Sequence, residues 1–290
     1  MIKGSIVAIV TPFRNGKVDE KALGKLIEWH IKEGTDAIVP CGTTGESATL
    51  DYKEHYRVIR FTVEVVNKRV PVIAGTGANA TDETIMITKE AKKAGADAAL
   101  LVSPYYNKPT QEGLYRHYKA VADSVKIPIV LYNVPGRTAV NMLPSTVARL
   151  AEIKNVVAIK EATGDLKQVS EIIRLCGDRL AVISGDDFTT LPLLALGGKG
   201  VISVTANIAP KQVAQMCALW EQGRHDEARK IHFHLEPLNA AMFIETNPIP
   251  AKTALAIMGR IKEEFRLPLC EMSPANKEKL KGVLKSMKLV

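Results

Sequence analysis

The stretch VVAIKEATG, residues 156–164, begins as a short apolar run and continues into the charged pair Lys160 and Glu161. Its first four residues are mostly β-branched, which is typical of a buried strand. A buried strand that finishes on a lysine is unusual, because an ammonium ion loses its hydration when it leaves water. The stretch therefore raises two questions: which fold buries this strand, and what the lysine does at its end.

Seven other runs of this kind recur along the chain, and segments with apolar residues at steps of three and four separate them. Such steps predict helices, and alternating strands and helices predict a parallel sheet. Eight units favour a closed (β/α)8 TIM barrel of the α/β class over an open doubly wound sheet. The predicted strands cover residues 5–10, 37–40, 70–75, 98–103, 127–133, 156–162, 180–186 and 200–206.

After the eighth strand the pattern changes, because from about residue 211 only helical segments follow. We therefore predict a barrel over residues 1–224 and a C-terminal helical bundle over residues 225–290. Capping residues indicate where helices begin, at Asp19 and at the pair Asp51 and Glu54. Glycines indicate where helices end, at Gly34 and Gly95.

Composition excludes several classes of protein. The chain has 290 residues and is 46% hydrophobic, enough for a large core. The net charge is +8, but cations and anions are interleaved, so no basic stripe predicts nucleic-acid binding. The four cysteines form no CxxC pair, which argues against zinc and disulfides and favours a reducing cytoplasm. No apolar run is long enough to span a membrane.

In a TIM barrel, chemistry collects at the carboxyl ends of the strands. The predicted ends supply one lysine, tyrosines, small hydroxyls, glycines and one arginine, but no histidine. A metal site and a Ser–His–Asp triad are therefore not expected. The ends carry Thr11, residues 42–46, residues 75–77, residues 103–106, residues 132–137, residues 160–162, residues 184–187 and residues 205–207.

Lys160 has two interpretations. It forms a buried ion pair with Glu161 or Asp186, or it is a nucleophile that forms a Schiff base, since burial disfavours the ammonium form of a lysine. Tyr132 ends the neighbouring predicted strand, so its hydroxyl can exchange protons with the amine. The alternative for Tyr132 is a side chain that only fills the barrel.

Two further elements are suited to carboxylates. GTTGE, residues 42–46, can direct the amides and hydroxyls of Thr43 and Thr44 at an anion, although it is equally a glycine-rich turn. Arg137 follows Tyr132 by five residues in a loop opened by Pro135 and Gly136, and its planar guanidinium suits a carboxylate. Taken alone, it is as readily an exposed loop arginine without a role.

Three patterns imitate ligand sites. GTGANA, residues 75–80, resembles a dinucleotide loop, but no acidic residue ends the next predicted strand, so we expect no cofactor. LGGKG, residues 196–200, precedes a strand and so lies on the wrong face of the barrel for a phosphate site. His232 and His234 are two residues apart in a helical segment, where side chains diverge.

GTTGE, YNVPGRT and IKEAT occur in this order at the ends of the second, fifth and sixth predicted strands, and together they resemble the dihydrodipicolinate synthase family of pyruvate-dependent Schiff-base aldolases. The resemblance extends from GSIVAIVTPF near the start through SPYYNKPTQEGLY, residues 103–115, to ETNPIPAKTAL, residues 245–255. Arg137 fills the position after the YN-x-P turn that distinguishes these synthases from N-acetylneuraminate lyases and 2-keto-3-deoxy sugar-acid aldolases.

The resemblance implies a lyase that condenses pyruvate with L-aspartate 4-semialdehyde to give 4-hydroxy-tetrahydrodipicolinate, the committed step of diaminopimelate and lysine biosynthesis. It implies no cofactor and a homotetramer made of two tight dimers. By position it assigns the imine to Lys160, and a proton relay to Tyr132, Thr44 and Tyr106, with Tyr106 reaching the neighbouring subunit. Contacts to substrate are implied for Thr43, Thr44, Arg137, Gly185 and Ile202.

Some members of that family are inhibited by L-lysine at a dimer interface. The matching positions here are Ser47, Ala48, His55, Asn79, Glu83 and Tyr105. Glu83 is placed to bind the effector's ammonium and Tyr105 its carboxylate. Tyr52 departs from the family pattern, since inhibited enzymes often have histidine at this position.

Three rival functions follow from the same residues. A sugar-acid or N-acetylneuraminate aldolase would keep Lys160 and Tyr132 without needing Arg137. A nucleotide-dependent oxidoreductase would use residues 75–80. A non-catalytic barrel that senses lysine would have no need of Lys160 or Tyr132, and both are present.

Overall fold

The computed structural model, which describes residues 2–290, contains a parallel sheet of eight strands that we number β1 to β8. Each strand corresponds to one of the eight predicted runs, so the barrel prediction is confirmed. The strands are β1 (Gly4–Ala8), β2 (Ala37–Val39), β3 (Ile73–Gly75), β4 (Ala98–Val102), β5 (Ile129–Asn133), β6 (Val156–Glu161), β7 (Ala181–Ser184) and β8 (Gly200–Ser203).

The sheet closes on itself. Its hydrogen-bonded order is β2-β1-β8-β7-β6-β5-β4-β3. Between the two end strands an isolated parallel bridge joins Ile38 to Val72. On either side of it, the Ile38 amide donates to the Pro71 carbonyl at 3.0 Å and the Gly75 amide donates to the Pro40 carbonyl at 2.9 Å. The carboxyl ends of all eight strands therefore surround one mouth.

Helices connect the strands and continue beyond them. They are α1 (Glu20–Lys32), α2 (Tyr52–Val66), α3 (Thr81–Ala94), α4 (Gln111–Ser124), α5 (Pro135–Thr138), α6 (Pro144–Leu150), α7 (Leu166–Cys176), α8 (Thr190–Ala195), α9 (Pro210–Glu221), α10 (His225–Ala241), α11 (Ile249–Ile257) and α12 (Pro274–Ser286). Asp19 caps α1, and Asp51 forms the predicted capping box with Glu54 on α2. Gly34 and Gly95, which follow α1 and α3, have φ of 88° and 93°, which glycine adopts most readily.

Every predicted strand is longer than the observed one, and for two of them the structure shows the physical reason. The run 70–75 forms a continuous strand only from Ile73, because Pro71 has no N–H and the Val72 amide donates to the Asp97 carboxylate at 2.8 Å. The run 200–206 ends at Ser203, and Thr205–Asn207 form a 3₁₀ turn. A short hairpin of Phe13–Arg14 with Lys17–Val18 was not predicted.

The C-terminal helices pack directly on the barrel. Leu238 of α10, Leu255 of α11 and Leu280 of α12 belong to the same buried cluster as Val7 of β1. The predicted division between residues 224 and 225 falls between α9 and α10. It stays a prediction. Within residues 2–290, no helix is both long and apolar enough to cross a membrane.

Strand β6 contains one extra residue. Ile129 pairs with Val156, but the next residue of β5, Val130, pairs with Ala158, so Val157 has no partner in the register. Such a bulge reverses the inside–outside alternation of the residues that follow it. As a result Ala158 lies in the barrel interior and Ile159 in the outer core. Lys160, one residue further on, returns to the inside.

Candidate active site

Lys160 lies at the carboxyl end of β6 and is only 5% exposed. Its register partner on β5 is Tyr132, which is also buried. The Lys160 Nζ lies 4.2 Å from the centroid of the Tyr132 ring. The two side chains that the sequence placed on neighbouring strands are therefore in contact inside the barrel.

Neither carboxylate considered for an ion pair contacts Lys160. Glu161 points to the outside of the barrel, where it accepts hydrogen bonds from Asn133 at 3.0 Å, Gln168 at 3.2 Å and the Thr163 amide at 2.9 Å. Asp186 accepts a hydrogen bond from the Phe188 amide at 3.1 Å, and burial raises the pKa of its carboxyl. Across residues 2–290, Lys160 forms no salt bridge. The ion-pair interpretation does not fit this geometry.

The side chain of Lys160 packs on the backbone of Gly185 at the end of β7. A Cβ atom at residue 185 would lie 2.6 Å from the Ala162 Cβ and 3.0 Å from both Cγ and Cε of Lys160. Glycine is therefore required for the lysine to keep this path. Ile202, on β8, is fully buried in the barrel interior.

Asn247 joins two of the predicted substrate-binding residues. Its side-chain Nδ2 donates to the hydroxyl of buried Thr44 at 3.0 Å, and its backbone carbonyl accepts a hydrogen bond from Arg137 at 3.1 Å. Arg137 is exposed but oriented by this contact, and it has no carboxylate partner within the described residues. Thr43, beside Thr44, is partly exposed. The arrangement leaves a fixed guanidinium available for an anion.

Sequence reasoning missed the role of Asn247. It lies in ETNPIPAKTAL, a segment that resembles the family but for which the sequence predicts no contact with the site. An asparagine in a loop has no spacing that marks it, and its contacts cross 203 residues to Thr44 and 110 to Arg137. Only similarity to a family could have indicated the segment.

A buried ion pair anchors the GTTGE loop to the C-terminal helices. Glu46, the last residue of that loop, has φ of 52° and pairs with Lys252 of α11, and both side chains are 0% exposed. The Lys252 Nζ also lies 4.2 Å from the centroid of Phe13 and 5.0 Å from that of Phe265. Burial lowers the pKa of Lys252 and the Glu46 carboxylate opposes that shift. Two rings and one carboxylate thus enclose the ammonium.

The predicted proton relay is incomplete within one chain. Tyr106 is 89% exposed, and its amide donates to the Asn79 side chain at 3.2 Å, which places it on a surface loop rather than beside Lys160. Thr44 bonds to Asn247 and makes no hydrogen bond to Tyr132. The structure therefore brings Lys160 and Tyr132 together but leaves Tyr106 outside this mouth.

The six predicted effector positions lie on the loops after β2, β3 and β4 and on the helices that follow. His55 is buried, with its Nε2 2.8 Å from the Gly75 carbonyl oxygen. Asn79 accepts a hydrogen bond from the Tyr105 amide at 2.8 Å. Glu83 accepts one from the Tyr52 hydroxyl at 2.9 Å, and this bond raises the pKa of the phenol. Ser47 and Ala48 begin a 3₁₀ turn beside them.

The three sequence patterns that resemble ligand sites have structural explanations. In residues 75–80, a Cβ at Gly77 would lie 2.4 Å from the Val102 amide, so close packing on β4 requires this glycine. In residues 196–200, a Cβ at Gly198 would lie 1.9 Å from Leu193. His232 and His234 both lie on α10. Residues 2–290 contain no group of three or more His, Cys, Asp or Glu arranged to hold a metal ion.

Comparison with known proteins identifies relatives over the full length. Residues 1–287 match the model of the dihydrodipicolinate synthetase family. A protein of Thermodesulfovibrio yellowstonii named 4-hydroxy-tetrahydrodipicolinate synthase is 74% identical over 290 residues, which is all of both chains. The similarity therefore extends over nearly the whole chain rather than over one motif.

Solved structures agree with this match. The chloride-inhibited dihydrodipicolinate synthase from Acinetobacter baumannii, complexed with pyruvate, superimposes with a TM-score of 0.98 at 52% identity and covers all of both chains. The enzyme from Cyanidioschyzon merolae with lysine bound gives a TM-score of 0.96 at 41% identity and covers 99% of both chains.

The buried pair of Glu46 and Lys252 can be tested by removing one partner. Lys252→Met leaves the Glu46 carboxylate buried without a counter-charge, so we expect the free energy of unfolding to fall by about 3–5 kcal/mol. Glu46→Gln combined with Lys252→Met removes both charges and should recover most of this loss. Urea unfolding at fixed protein concentration measures the change.

The matched control is Lys281→Met on α12, which breaks the surface pair with Glu278. Exposed pairs contribute at most about 1 kcal/mol, so this variant should unfold near the wild-type midpoint. If Lys252→Met costs no more than Lys281→Met, the buried pair does not stabilise the loop.

Proposed function

The chain belongs to the dihydrodipicolinate synthetase family, and from this premise we propose how its residues carry out catalysis. The enzyme condenses pyruvate with L-aspartate 4-semialdehyde through a lysine Schiff base and forms 4-hydroxy-tetrahydrodipicolinate, the committed step of diaminopimelate and lysine biosynthesis. The observation that carries this proposal is Lys160, a buried lysine at the catalytic mouth of the barrel with no carboxylate partner.

Lys160 supplies the nucleophile. Its neutral amine attacks the ketone carbon of pyruvate, the oxygen leaves as water, and a protonated imine forms. Loss of a methyl proton gives an enamine, whose carbon attacks the aldehyde of the second substrate. The amino group of that substrate then displaces Lys160, so the ring closes and the lysine is regenerated.

Tyr132 and Thr44 move protons during these steps. The contact between Lys160 and Tyr132 puts a hydroxyl-bearing ring next to the amine, where carbinolamine formation and loss of water both require proton transfer. The third member of the relay, Tyr106, enters from a second copy of the chain. Its high exposure supports this, because an unpaired tyrosine on a surface loop is free to cross an interface. The assembly is then a homotetramer made of two tight dimers.

The two substrate carboxylates bind to the two groups that Asn247 connects, the threonines of GTTGE on one side and Arg137 on the other. Thr43 and Thr44 bind the carboxylate of pyruvate, and Gly185 and Ile202 line the space near the imine. Arg137 binds the carboxylate of the semialdehyde. The main alternative, a sugar-acid or N-acetylneuraminate aldolase, gives no role to Arg137, whereas here a hydrogen bond to Asn247 orients it.

Turnover of pyruvate with L-aspartate 4-semialdehyde tests this assignment. Lys160→Ala should lower kcat by about three orders of magnitude or more, since no other group can form the imine. Arg137→Ala should chiefly raise KM for the semialdehyde, by about ten- to a hundredfold, because one charged hydrogen-bonding group is lost. Activity of the wild type with sugar acids, and none with the semialdehyde, would favour the alternative.

Gly185→Ala tests the path of the Lys160 side chain. The added methyl would lie 3.0 Å from Cε of Lys160, so the amine must shift, and we expect kcat to fall by about tenfold or more. The control is Gly282→Ala on α12, where a Cβ meets nothing within 4 Å. Equal kcat in both variants would show that the lysine does not depend on residue 185.

Feedback inhibition by L-lysine is the second part of the proposal. Glu83 binds the effector's side-chain or α-ammonium and Tyr105 its carboxylate, in a site completed by Ser47, Ala48, His55 and Asn79. Tyr52 does not prevent this, because its hydroxyl donates one hydrogen bond to Glu83 and brings no charge of its own. The structure of the relative from Cyanidioschyzon merolae with lysine bound supports lysine binding by this chain.

Isothermal titration with L-lysine measures this binding. Glu83→Gln should weaken it by about tenfold or more, since a charge-assisted contact becomes neutral. Tyr52→Phe removes only the hydroxyl that donates a hydrogen bond to Glu83. Because this hydroxyl competes with the ammonium of the effector for the carboxylate, the affinity for L-lysine should stay the same or increase. Absence of heat from the wild type at millimolar lysine would contradict the proposal.

A further inference from the structure

A second concave site lies away from the catalytic mouth. A cleft of about 570 Å³ opens between α1 and the segment that follows α11, and it includes none of the site residues described above. Its walls carry six cationic side chains but only two carboxylates. The cations are Arg14, Lys21, Lys25, Arg260, Lys262 and Lys277, and the carboxylates are Asp19 and Glu263.

Both carboxylates of the cleft already have hydrogen-bond and salt-bridge partners. Asp19 caps α1 by accepting from the Ala22 amide at 3.0 Å, and it lies 3.7 Å from Arg14. Glu263 pairs with Lys277 and accepts a hydrogen bond from Thr253 at 3.1 Å. Neither carboxylate remains to neutralise the other cations of the cleft.

The other four cations of the cleft have no salt-bridge partner. Lys21, Lys25, Arg260 and Lys262 form no salt bridge with any residue of the described chain, 2–290. Like charges lining one concavity repel each other and raise the local potential, and low-dielectric walls concentrate that field. An anion entering the cleft relieves this repulsion.

Arg260 is held in place without an acidic partner. Its guanidinium carbon lies 3.4 Å from the centroid of the Trp29 ring, and its side chain makes no hydrogen bond within the described residues. Burial lowers the pKa of this arginine, because the charged form loses hydration, and nearby Glu33 opposes the shift only partly. A stacked guanidinium keeps its N–H groups free for a bidentate acceptor.

We propose that this cleft binds a small polyanion of the phosphate class, a ligand with two or more negative charges such as a pyrophosphate group. The unpaired lysines supply point charges and the stacked Arg260 supplies a directed pair of donors, the combination that phosphates favour. The volume lies in the range of small-molecule sites. Because it is separate from Lys160, the site can be occupied whether or not the catalytic proposal holds.

Trp29 provides a direct signal for occupancy. The chain contains two tryptophans, Trp29 and Trp220, so a Trp220→Phe protein reports on Trp29 alone. Sodium pyrophosphate titrated at constant ionic strength should change this fluorescence along a saturable curve. A change that never saturates, or that sodium chloride reproduces at equal ionic strength, would overturn the proposal.

Charge variants locate the binding. In the Trp220→Phe protein, Lys21→Gln with Lys25→Gln should weaken pyrophosphate at least tenfold. Lys211→Gln with Lys230→Gln removes the same charge at exposed positions outside the cleft and should leave the affinity unchanged. An equal loss of affinity in both double variants would show only a response to net charge, and the site would be rejected.

Arg260 is tested without fluorescence, because its loss also alters the surroundings of Trp29. Isothermal titration of Arg260→Gln with pyrophosphate should show at least a tenfold weaker affinity than wild type. A thermal melt without ligand verifies that the variant is folded at the titration temperature. Wild-type affinity in a folded Arg260→Gln protein would contradict the role assigned to the stacked guanidinium.

Discussion

One extra residue in strand β6 determines which way Lys160 points. Because Val157 is unpaired, the register between β5 and β6 advances by one residue, and Lys160 faces inward with Tyr132 while Glu161 faces outward with Asn133. Without the bulge the two charges would exchange faces. The barrel would then contain a carboxylate, and the lysine would lie among the outer helices.

Residues 2–290 include two buried lysines, Lys160 and Lys252, and their surroundings differ. Lys252 is enclosed by Glu46 and two phenylalanine rings, so its charge is compensated and the residue serves as a fixed support for the GTTGE loop. Lys160 has a tyrosine ring beside it and no carboxylate. Burial is common to both, but of the two only Lys160 is without a salt bridge within residues 2–290, and it lies beside Tyr132 at the carboxyl mouth of the barrel. The C-terminal segment supplies the support, through Asn247 as well as Lys252.

The sequence predicted the features that repeat or that resemble a family. Eight apolar runs defined the barrel, and two motifs, YNVPGRT and IKEAT, placed Lys160, Tyr132 and Arg137 at its carboxyl mouth. It could not predict the bulge, because Val157 is as apolar as its neighbours. Nor could it predict contacts formed across about two hundred residues, such as Lys252 with Glu46, since no local pattern records which segments meet. The role expected of Tyr106 stays a prediction, because this residue lies on an exposed loop of the single chain.

The central claim is that Lys160, and not the other buried lysine, forms the imine. The direct measurement is borohydride reduction of the enzyme with pyruvate, followed by peptide mass spectrometry. The account predicts a reduced pyruvate adduct on Lys160, none on Lys252, and none anywhere in Lys160→Ala. An adduct on Lys252, or an unmodified Lys160 in an enzyme that still turns over, would contradict it.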